Sequence, residues 1–167
     1  MDNISYEAEA IKSLRRRAIS LVKAKRLQEA VAVLNEIVQL DPRNFLAYFQ
    51  LAQIYFAGKK FDGAEYMCQQ AIISNPQDIR PWQILGNIYV STNNFDKVVS
   101  QLPVALSVDP DNFQLNYLVG YGFARKGHIK KAKEYLDKAA KIDPNNKKLI
   151  QAMTVVNQAL AKLKRKP

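Results

Sequence analysis

The sequence has very few of the residues on which catalysis and covalent cross-linking depend. It holds one histidine, His128, and one cysteine, Cys68, so no disulfide can form within the chain. No Gly-rich phosphate loop, metal-ligand spacing or nucleophile motif is present. Because a catalytic site needs convergent titratable groups, the sequence predicts a protein that is not an enzyme and has no cofactor.

Long apolar segments are missing as well. No run reaches the roughly eighteen apolar residues that a membrane-spanning helix needs, and residues 1–7 lack the order of a secretory signal. Apolar residues still make up 48% of the chain, which is enough to bury a core. We therefore expect a folded cytoplasmic protein, or one held peripherally on the cytoplasmic side of a membrane or organelle.

What the sequence does have is a proline every 34 residues. Each of these prolines follows Asp or Asn, and they are Pro42, Pro76, Pro110 and Pro144. Proline has no amide hydrogen and restricts the residue before it, so each dipeptide is predicted to end a helix. Four such helix ends in one register indicate an internal repeat.

Alignment on the prolines divides the chain. We predict an N-terminal helix extension over 1–10, four repeats over 11–44, 45–78, 79–112 and 113–146, and a capping helix with a basic tail over 147–167. The eighth position of the repeat holds Ala18, Ala52, Gly86 and Gly120, and the twentieth holds Ala30, Ala64, Val98 and Ala132. Small residues at both positions let two helices approach closely. Each repeat is therefore predicted to be a pair of packed helices.

The third repeat is the clearest, since Trp82, Leu85, Gly86 and Tyr89 give the pattern W-x2-L-G-x2-Y. This pattern resembles the signature of the tetratricopeptide-repeat family, and the resemblance covers about four-fifths of the chain. It implies an all-α, right-handed superhelical solenoid of helix–turn–helix repeats that acts as a protein–protein interaction adaptor or scaffold. Small bacterial proteins of this family serve as secretion chaperones, pilus-assembly factors and self-assembling scaffolds on organelles such as magnetosomes.

Two local features lead to further expectations. Gly58, Asn93 and Gly127 fall in the predicted turns between helices, and these residue types tolerate left-handed backbone. Pro103 falls inside the second helix of the third repeat, where it is predicted to produce a kink.

In this family the first helices of successive repeats line a concave face, which the resemblance places on particular residues here. The implied peptide groove consists of Arg15, Phe49, Gln53, Phe56, Arg80, Gln83, Asn87, Tyr117, Tyr121 and Arg125, with Ser91 and Gln114 at equivalent positions. Rings would supply apolar contact, amides would bond a peptide backbone, and arginines would bind carboxylates. Phe49 and Tyr121 are the strongest candidates, because neither occupies a core position of the signature.

The partner expected for such a groove is another protein, which would present an extended peptide or a helix with acidic and apolar residues. The alternative is that some of the rings only pack between repeats. An RNA-binding helical array is less favoured, because the repeats lack the base-reading residue pairs of such arrays.

The net charge of +10 is unevenly distributed. It is +4 over residues 1–26, −4 over 27–124 and +10 over 125–167. Solvated helix faces would explain this, and so would head-to-tail association into a homo-oligomer. A third possibility is a basic surface that attracts an anionic membrane or, less favoured without a recognised motif, nucleic acid. Its residues would be Lys162, Lys164, Arg165 and Lys166.

Overall fold

A computed structural model describes the backbone of residues 3–164 and the side chains of residues 6–164. Within that range the chain forms nine α-helices and no β-strand, so the predicted all-α class is confirmed. The helices are α1 (Asn3–Lys23), α2 (Leu27–Leu40), α3 (Phe45–Ala57), α4 (Phe61–Ser74), α5 (Arg80–Ser91), α6 (Phe95–Ala105), α7 (Phe113–Arg125), α8 (Ile129–Ile142) and α9 (Lys147–Lys164). None of these helices has both the length and the apolar character needed to cross a bilayer.

The chain divides into two compact units, and the division falls inside α5. The first unit ends at Ile84 and the second begins at Leu85. In the first unit α1 packs on α2, and α3 packs on both α2 and α4. In the second unit α7 packs on α6 and α8, and α9 packs on α8. The bounds of the individual repeats stay a prediction.

A recurring turn explains why a proline stands every 34 residues. Asp41 accepts a hydrogen bond from the Asn44 side-chain amide at 2.9 Å, and Asn44 in turn accepts one from the Ala47 amide at 3.1 Å. Asp109 and Asn112 make the same pair of bonds before α7. The turn thus ends one helix and caps the next. The predicted helix ends are confirmed for three helices, which stop one residue before the dipeptide, at Leu40, Ser74 and Ile142.

The turns inside the helix pairs place a left-handed residue at a fixed position. These residues stand 34 apart and have φ angles between 55° and 78°: Lys25, Lys59, Asn93 and Gly127. The expectation is confirmed at Asn93 and Gly127 and is wrong at Gly58, whose φ is −79°. The Lys60 amide bonds the Tyr55 carbonyl at 2.9 Å, and this six-to-one bond makes Lys59 the left-handed residue.

Pro103 shortens its helix. The predicted kink at Pro103 stays a prediction. α6 ends at Ala105 after 11 residues, whereas α2, α4 and α8 each have 14. Beyond Pro103 the amides of Leu106 and Ser107 bond the carbonyls three residues back, at 3.2 and 3.1 Å. Proline removes one helical hydrogen bond and crowds the preceding turn. The chain therefore leaves the helix early.

The small residues of the signature lie where helices come closest. Ala18, Ala30 and Ala64 are fully buried. At Gly120 an added Cβ would lie 2.8 Å from Leu136 Cγ and 3.1 Å from the Leu136 backbone nitrogen. A side chain there would hold α7 away from α8, which is the close approach that the small residues predict.

Candidate functional site

A cavity of about 720 Å³ opens on the second unit. Three segments form its walls: the second half of α5, one face of α7, and the start of α9. Its lining includes the predicted residues Asn87, Ser91, Gln114, Tyr117 and Tyr121. It also includes Val90, Phe113, Leu118, Asn146, Lys147 and Lys148. We call this cavity the groove.

Three aromatic rings follow one another along the wall that α7 supplies. Phe113 and Tyr117 stack with centroids 6.3 Å apart and planes 5° apart, and Tyr117 and Tyr121 stack at 6.1 Å and 21°. Side chains four residues apart lie on the same face of a helix, so their spacing in the sequence sets this arrangement. We call the three rings the aromatic ladder. Burial first, and then the neighbouring Tyr121, raise the pKa of the Tyr117 phenol.

Arg125 continues the ladder by one more turn of α7. Its guanidinium lies 4.5 Å from the Phe95 ring centroid and 5.8 Å from that of Tyr121. Arg125 Nη1 also donates a hydrogen bond to the Tyr121 hydroxyl at 3.0 Å. Phe95 meets Tyr121 edge-on at 6.0 Å. A cation over aromatic faces is an attractive arrangement, and here it holds Arg125 at the end of the ladder.

In the first unit a similar arginine is already paired. The Arg80 guanidinium lies 4.6 Å from the Phe49 ring centroid and 5.3 Å from that of Phe45. Its Nε and Nη2 donate to Asp78 at 2.9 and 2.6 Å. Hydrogen bonding from Arg80 lowers the pKa of the Asp78 carboxyl below its ordinary value. Arg80 is thus committed to a carboxylate of its own chain.

The expectation that Phe49 is an open contact surface is wrong. Only 8% of the side chain is exposed, and its ring stacks on Phe45 at 5.8 Å beneath Arg80. Ala71 and Met67 on α4 pack in the same cluster. A flat ring gains more from burial between these neighbours than from facing water, so the position belongs to the core of the first unit.

The remaining predicted residues of the first unit do not meet in one site. Gln53 is exposed on α3 and lines a cavity of about 210 Å³. The Phe56 ring packs against Phe61 with centroids 6.0 Å apart. Arg15 and Gln83 are half-buried and lie outside the lining of that cavity. The groove in the second unit is therefore the more complete site.

Sequence reasoning missed Phe113, Lys147 and Lys148 as groove residues. The register contained a signal for all three. Phe113 stands four residues before Tyr117, and the two lysines stand 34 residues after Phe113 and Gln114. The start of α9 therefore corresponds in register to the start of α7, and both line the groove. The capping role of residues 147–167 stays a prediction.

The predicted basic surface is described only in part. Lys162 and Lys164 are exposed at the end of α9, while Arg165 and Lys166 lie outside the described residues. Neither Lys162 nor Lys164 is among the residues that line the groove.

The residues most suited to chemistry are in inert settings. His128 is exposed, and its ring meets Phe123 edge-on at 6.1 Å. Cys68 is fully buried, and burial raises the pKa of its thiol to about 12, so the reactive thiolate does not form at neutral pH. Among the described residues, no group of three or more His, Cys, Asp and Glu is placed to hold a metal ion.

Two stretches of the chain match family models described as "Tetratricopeptide repeat". The first covers residues 21–88 and the second covers residues 113–146, so that together they span more than half of the chain. No curated protein is similar enough in sequence to count as a relative.

Solved structures share the fold at low sequence identity. YrrB, described as "a TPR protein with an unusual peptide-binding site", has a TM-score of 0.77 and 17% identity over 96% of this chain and 84% of its own. PilF from Pseudomonas aeruginosa has a TM-score of 0.71 and 17% identity over 95% and 71%. MamA from Desulfovibrio magneticus has a TM-score of 0.68 and 22% identity over 82% and 77%.

Proposed function

Because the chain belongs to the tetratricopeptide-repeat family, a family of protein–protein interaction modules, we propose that it is a non-catalytic adaptor that holds a peptide of another protein in its groove. The segment bound would be an extended peptide or one face of a helix, and the contact would be made by the second unit. No cofactor takes part in this function.

The observation that carries the proposal is the composition of the groove. Its long wall is the aromatic ladder, which offers apolar contact area with little side-chain entropy to lose. On the facing wall Asn87 and Ser91 supply an amide and a hydroxyl that can bond a peptide backbone. Apolar surface with a few convergent polar groups is typical of binding sites. The peptide-binding site named for YrrB gives this fold a precedent.

The first unit supports the proposal less strongly. Gln53 lines its smaller cavity, the Phe56 ring packs against Phe61, and Arg15 is half-buried on α1. Phe49 is buried, so its ring is not open to a peptide, and Arg80 is paired with Asp78, so its guanidinium is not free. We therefore assign the principal contacts to Asn87, Tyr117, Tyr121 and Arg125, all in the second unit.

Peptide selection tests the proposal. A random peptide library displayed on phage should yield binders of the wild type that are lost when Tyr117 is replaced by alanine. Truncating one ladder ring should weaken those binders by about 1–3 kcal/mol, as for a central aromatic contact, measured by fluorescence anisotropy on synthetic copies. Tyr66→Ala is the matched control, since Tyr66 is 55% exposed on α4, far along the chain in the other unit. Binders that are equally tight on the Tyr117→Ala protein would refute a peptide site in the groove.

A self-assembling scaffold is the second candidate function, and the uneven charge favours it. The exposed lysines of α8 and α9 outside the groove are Lys130, Lys131, Lys138, Lys141, Lys162 and Lys164. Residues 27–124 carry a net charge of −4. Contact between the basic end of one copy and the acidic middle of another would give a head-to-tail assembly. The same lysines would hold such an assembly on an anionic membrane surface.

Light scattering tests the scaffold function. At low salt the mass should rise with protein concentration above the 19.0 kDa of one chain, and it should return to that value at about 0.5 M salt, where charge attraction is screened. Reversing the charges of Lys162 and Lys164 to glutamate should weaken assembly, whereas the same change at Lys59 and Lys60, within the acidic middle, should not. A mass of one chain at every concentration and salt would exclude this function and leave the adaptor.

A further inference from the structure

We propose that the groove selects one class of partner segment: a short extended peptide with a carboxylate at each end of an apolar centre. The inference rests on the proposed function, since it concerns what the same groove binds. It follows from the positions of the cations, which stand at the two ends of the aromatic ladder and not along it. The ladder fixes the distance between them.

At one end stands Arg125, which lies one helical turn beyond Tyr121, the last ladder ring in the groove lining. A guanidinium has five N–H donors, and Arg125 donates from Nη1 to the Tyr121 hydroxyl. Within the described residues no carboxylate pairs with it, whereas Arg80 holds Asp78 with two of its nitrogens. Arg125 is already positioned by the Phe95 and Tyr121 rings, so it can take a carboxylate bidentately with little ordering cost.

At the other end stand Lys147 and Lys148, in the first turn of α9. Both line the groove beside Phe113, the first ring of the ladder. In the part of the chain that the structure describes, neither lysine is paired with a carboxylate, and the groove lining contains no Asp or Glu. The two ammonium groups and the start of a helix favour negative charge at this end.

Between the two ends the lining is neutral. Asn87, Ser91 and Gln114 are polar without charge, and the ladder itself is aromatic. Single-stranded nucleic acid also stacks on aromatic rings, but it needs positive charge that follows its backbone phosphate by phosphate. Cations confined to the ends suit a peptide with two terminal acids better.

The length of α7 sets the spacing. Phe113 and Arg125 are twelve residues apart, which is about 18 Å at the helical rise of about 1.5 Å per residue. An extended chain advances about 3.3 Å per residue, so about five residues span the ladder. We infer the same spacing for the two carboxylates. The central residues would be apolar or small, to lie along the rings of the ladder.

A series of blocked synthetic peptides tests the spacing. Each peptide is acetylated and amidated, and carries glutamate at both ends with two, five or eight apolar and small residues between. Fluorescence anisotropy should show the tightest binding at five. Replacing either glutamate by glutamine should weaken binding about tenfold, the usual effect of losing a charge-assisted hydrogen bond. A flat dependence on spacing would overturn the inference.

Variants of the protein assign each carboxylate to its end. With the Arg125→Gln protein, replacing one glutamate of the peptide by glutamine should no longer weaken binding. Replacing the other glutamate should still weaken binding about tenfold. On the double variant Lys147→Gln with Lys148→Gln the pattern should be reversed. Lys162→Gln with Lys164→Gln is the matched control, because these lysines share α9 but lie outside the groove lining. Circular dichroism of each variant checks that the helices remain.

The possible results distinguish the two-carboxylate rule from the proposed function of peptide binding in the groove. Equal binding of glutamate- and glutamine-ended peptides, still lost on Tyr117→Ala, would refute the charge rule and keep the peptide groove. Binding that is independent of Tyr117 would refute both. A ten-nucleotide poly-thymidine strand that displaces the peptide at equal concentration would assign the groove to nucleic acid instead.

Discussion

Replacing Gly122 by valine should destabilise the second unit by about 2–3 kcal/mol, the upper range for an overpacked core. A Cβ at Gly122, on α7, would collide with Val98 Cγ1 and lie 3.0 Å from Val98 Cβ, on α6. Val98 is fully buried and cannot turn away into solvent. The two helices would have to separate, and the buried contacts on both sides of them would be lost.

The repeat register shows how the loss could be recovered. Gly122 occupies the tenth position of its repeat and Val98 the twentieth of the repeat before. In the first unit the equivalent residues are Ile54 and Ala30, which pack in one cluster. Each unit thus has one large and one small residue at these two positions, but the large residue is at the tenth position in the first unit and at the twentieth in the second. Val98→Ala should therefore rescue Gly122→Val, although alone it should cost about 2 kcal/mol by leaving a cavity.

Urea unfolding of the two single variants and the double variant measures this coupling. The double variant should be more stable than the sum of the single effects predicts by at least about 1 kcal/mol, as expected for residues in direct contact. Gly63→Ala is the control, because a Cβ there meets the Tyr55 ring at an ordinary 3.5 Å. That change should be neutral or stabilising by up to about 1 kcal/mol. Additive single effects would mean that the two helices adjust independently.

Replacing Asn116 by aspartate should cost about 3–5 kcal/mol at neutral pH, the usual effect of an unpaired buried charge. Asn116 has no exposed surface, and its Nδ2 donates to the carbonyls of Pro110 and Asn112 at 2.8 and 3.0 Å. Its Oδ1 is buried without a partner among the described residues. An aspartate at this position would place a carboxylate oxygen where Nδ2 now stands, so both hydrogen bonds to the Pro110 and Asn112 carbonyls would be lost. The turn before α7 would lose these two side-chain bonds to the helix, while the Asn112 cap would remain.

The loss of stability caused by Asn116→Asp should decrease as the pH falls. Burial and the two carbonyls favour the protonated form, so the new carboxyl has a higher pKa in the folded than in the unfolded protein. The difference from wild type is therefore largest near neutral pH and shrinks as the pH falls toward about 4, the ordinary pKa of aspartate, below which both states are protonated. Urea unfolding of wild type and variant between pH 4 and 7.5 measures it. A difference that is small or constant with pH would show that water reaches the site.

An exposed asparagine provides the control for this substitution. Asn157 lies on the solvent side of α9, so Asn157→Asp should change the free energy of unfolding by no more than about 0.5 kcal/mol. The position of Asn116 explains the contrast. It is the fourth of its repeat, where the second repeat has Tyr48, whose hydroxyl donates to the Pro42 carbonyl at 3.3 Å. Both side chains tie a helix to the proline turn before it.

The sequence alone determined the features that depend on neighbours along the chain. Prolines at one spacing mark where helices end, because the missing amide hydrogen acts within a single turn. Aromatic residues four apart on α7 form a ladder for the same kind of reason, since helix geometry places them on one face. The fold class and half of the groove could therefore be predicted from local spacing and the family signature.

Tertiary structure decided which of the predicted groove residues are free to bind. The sequence pattern predicted both Phe49 and Tyr121 as groove residues outside the core positions of the signature. In the structure Phe49 is buried under Arg80, whereas Tyr121 lines the groove. Arg80 and Arg125 both lie over rings, and of the two Arg80 is paired with a carboxylate, that of Asp78 two residues before it. Burial, in contrast, depends on how separate helices meet in space. No periodicity along the chain records those contacts, so only the folded structure could separate the buried ring of Phe49 from the groove ring of Tyr121.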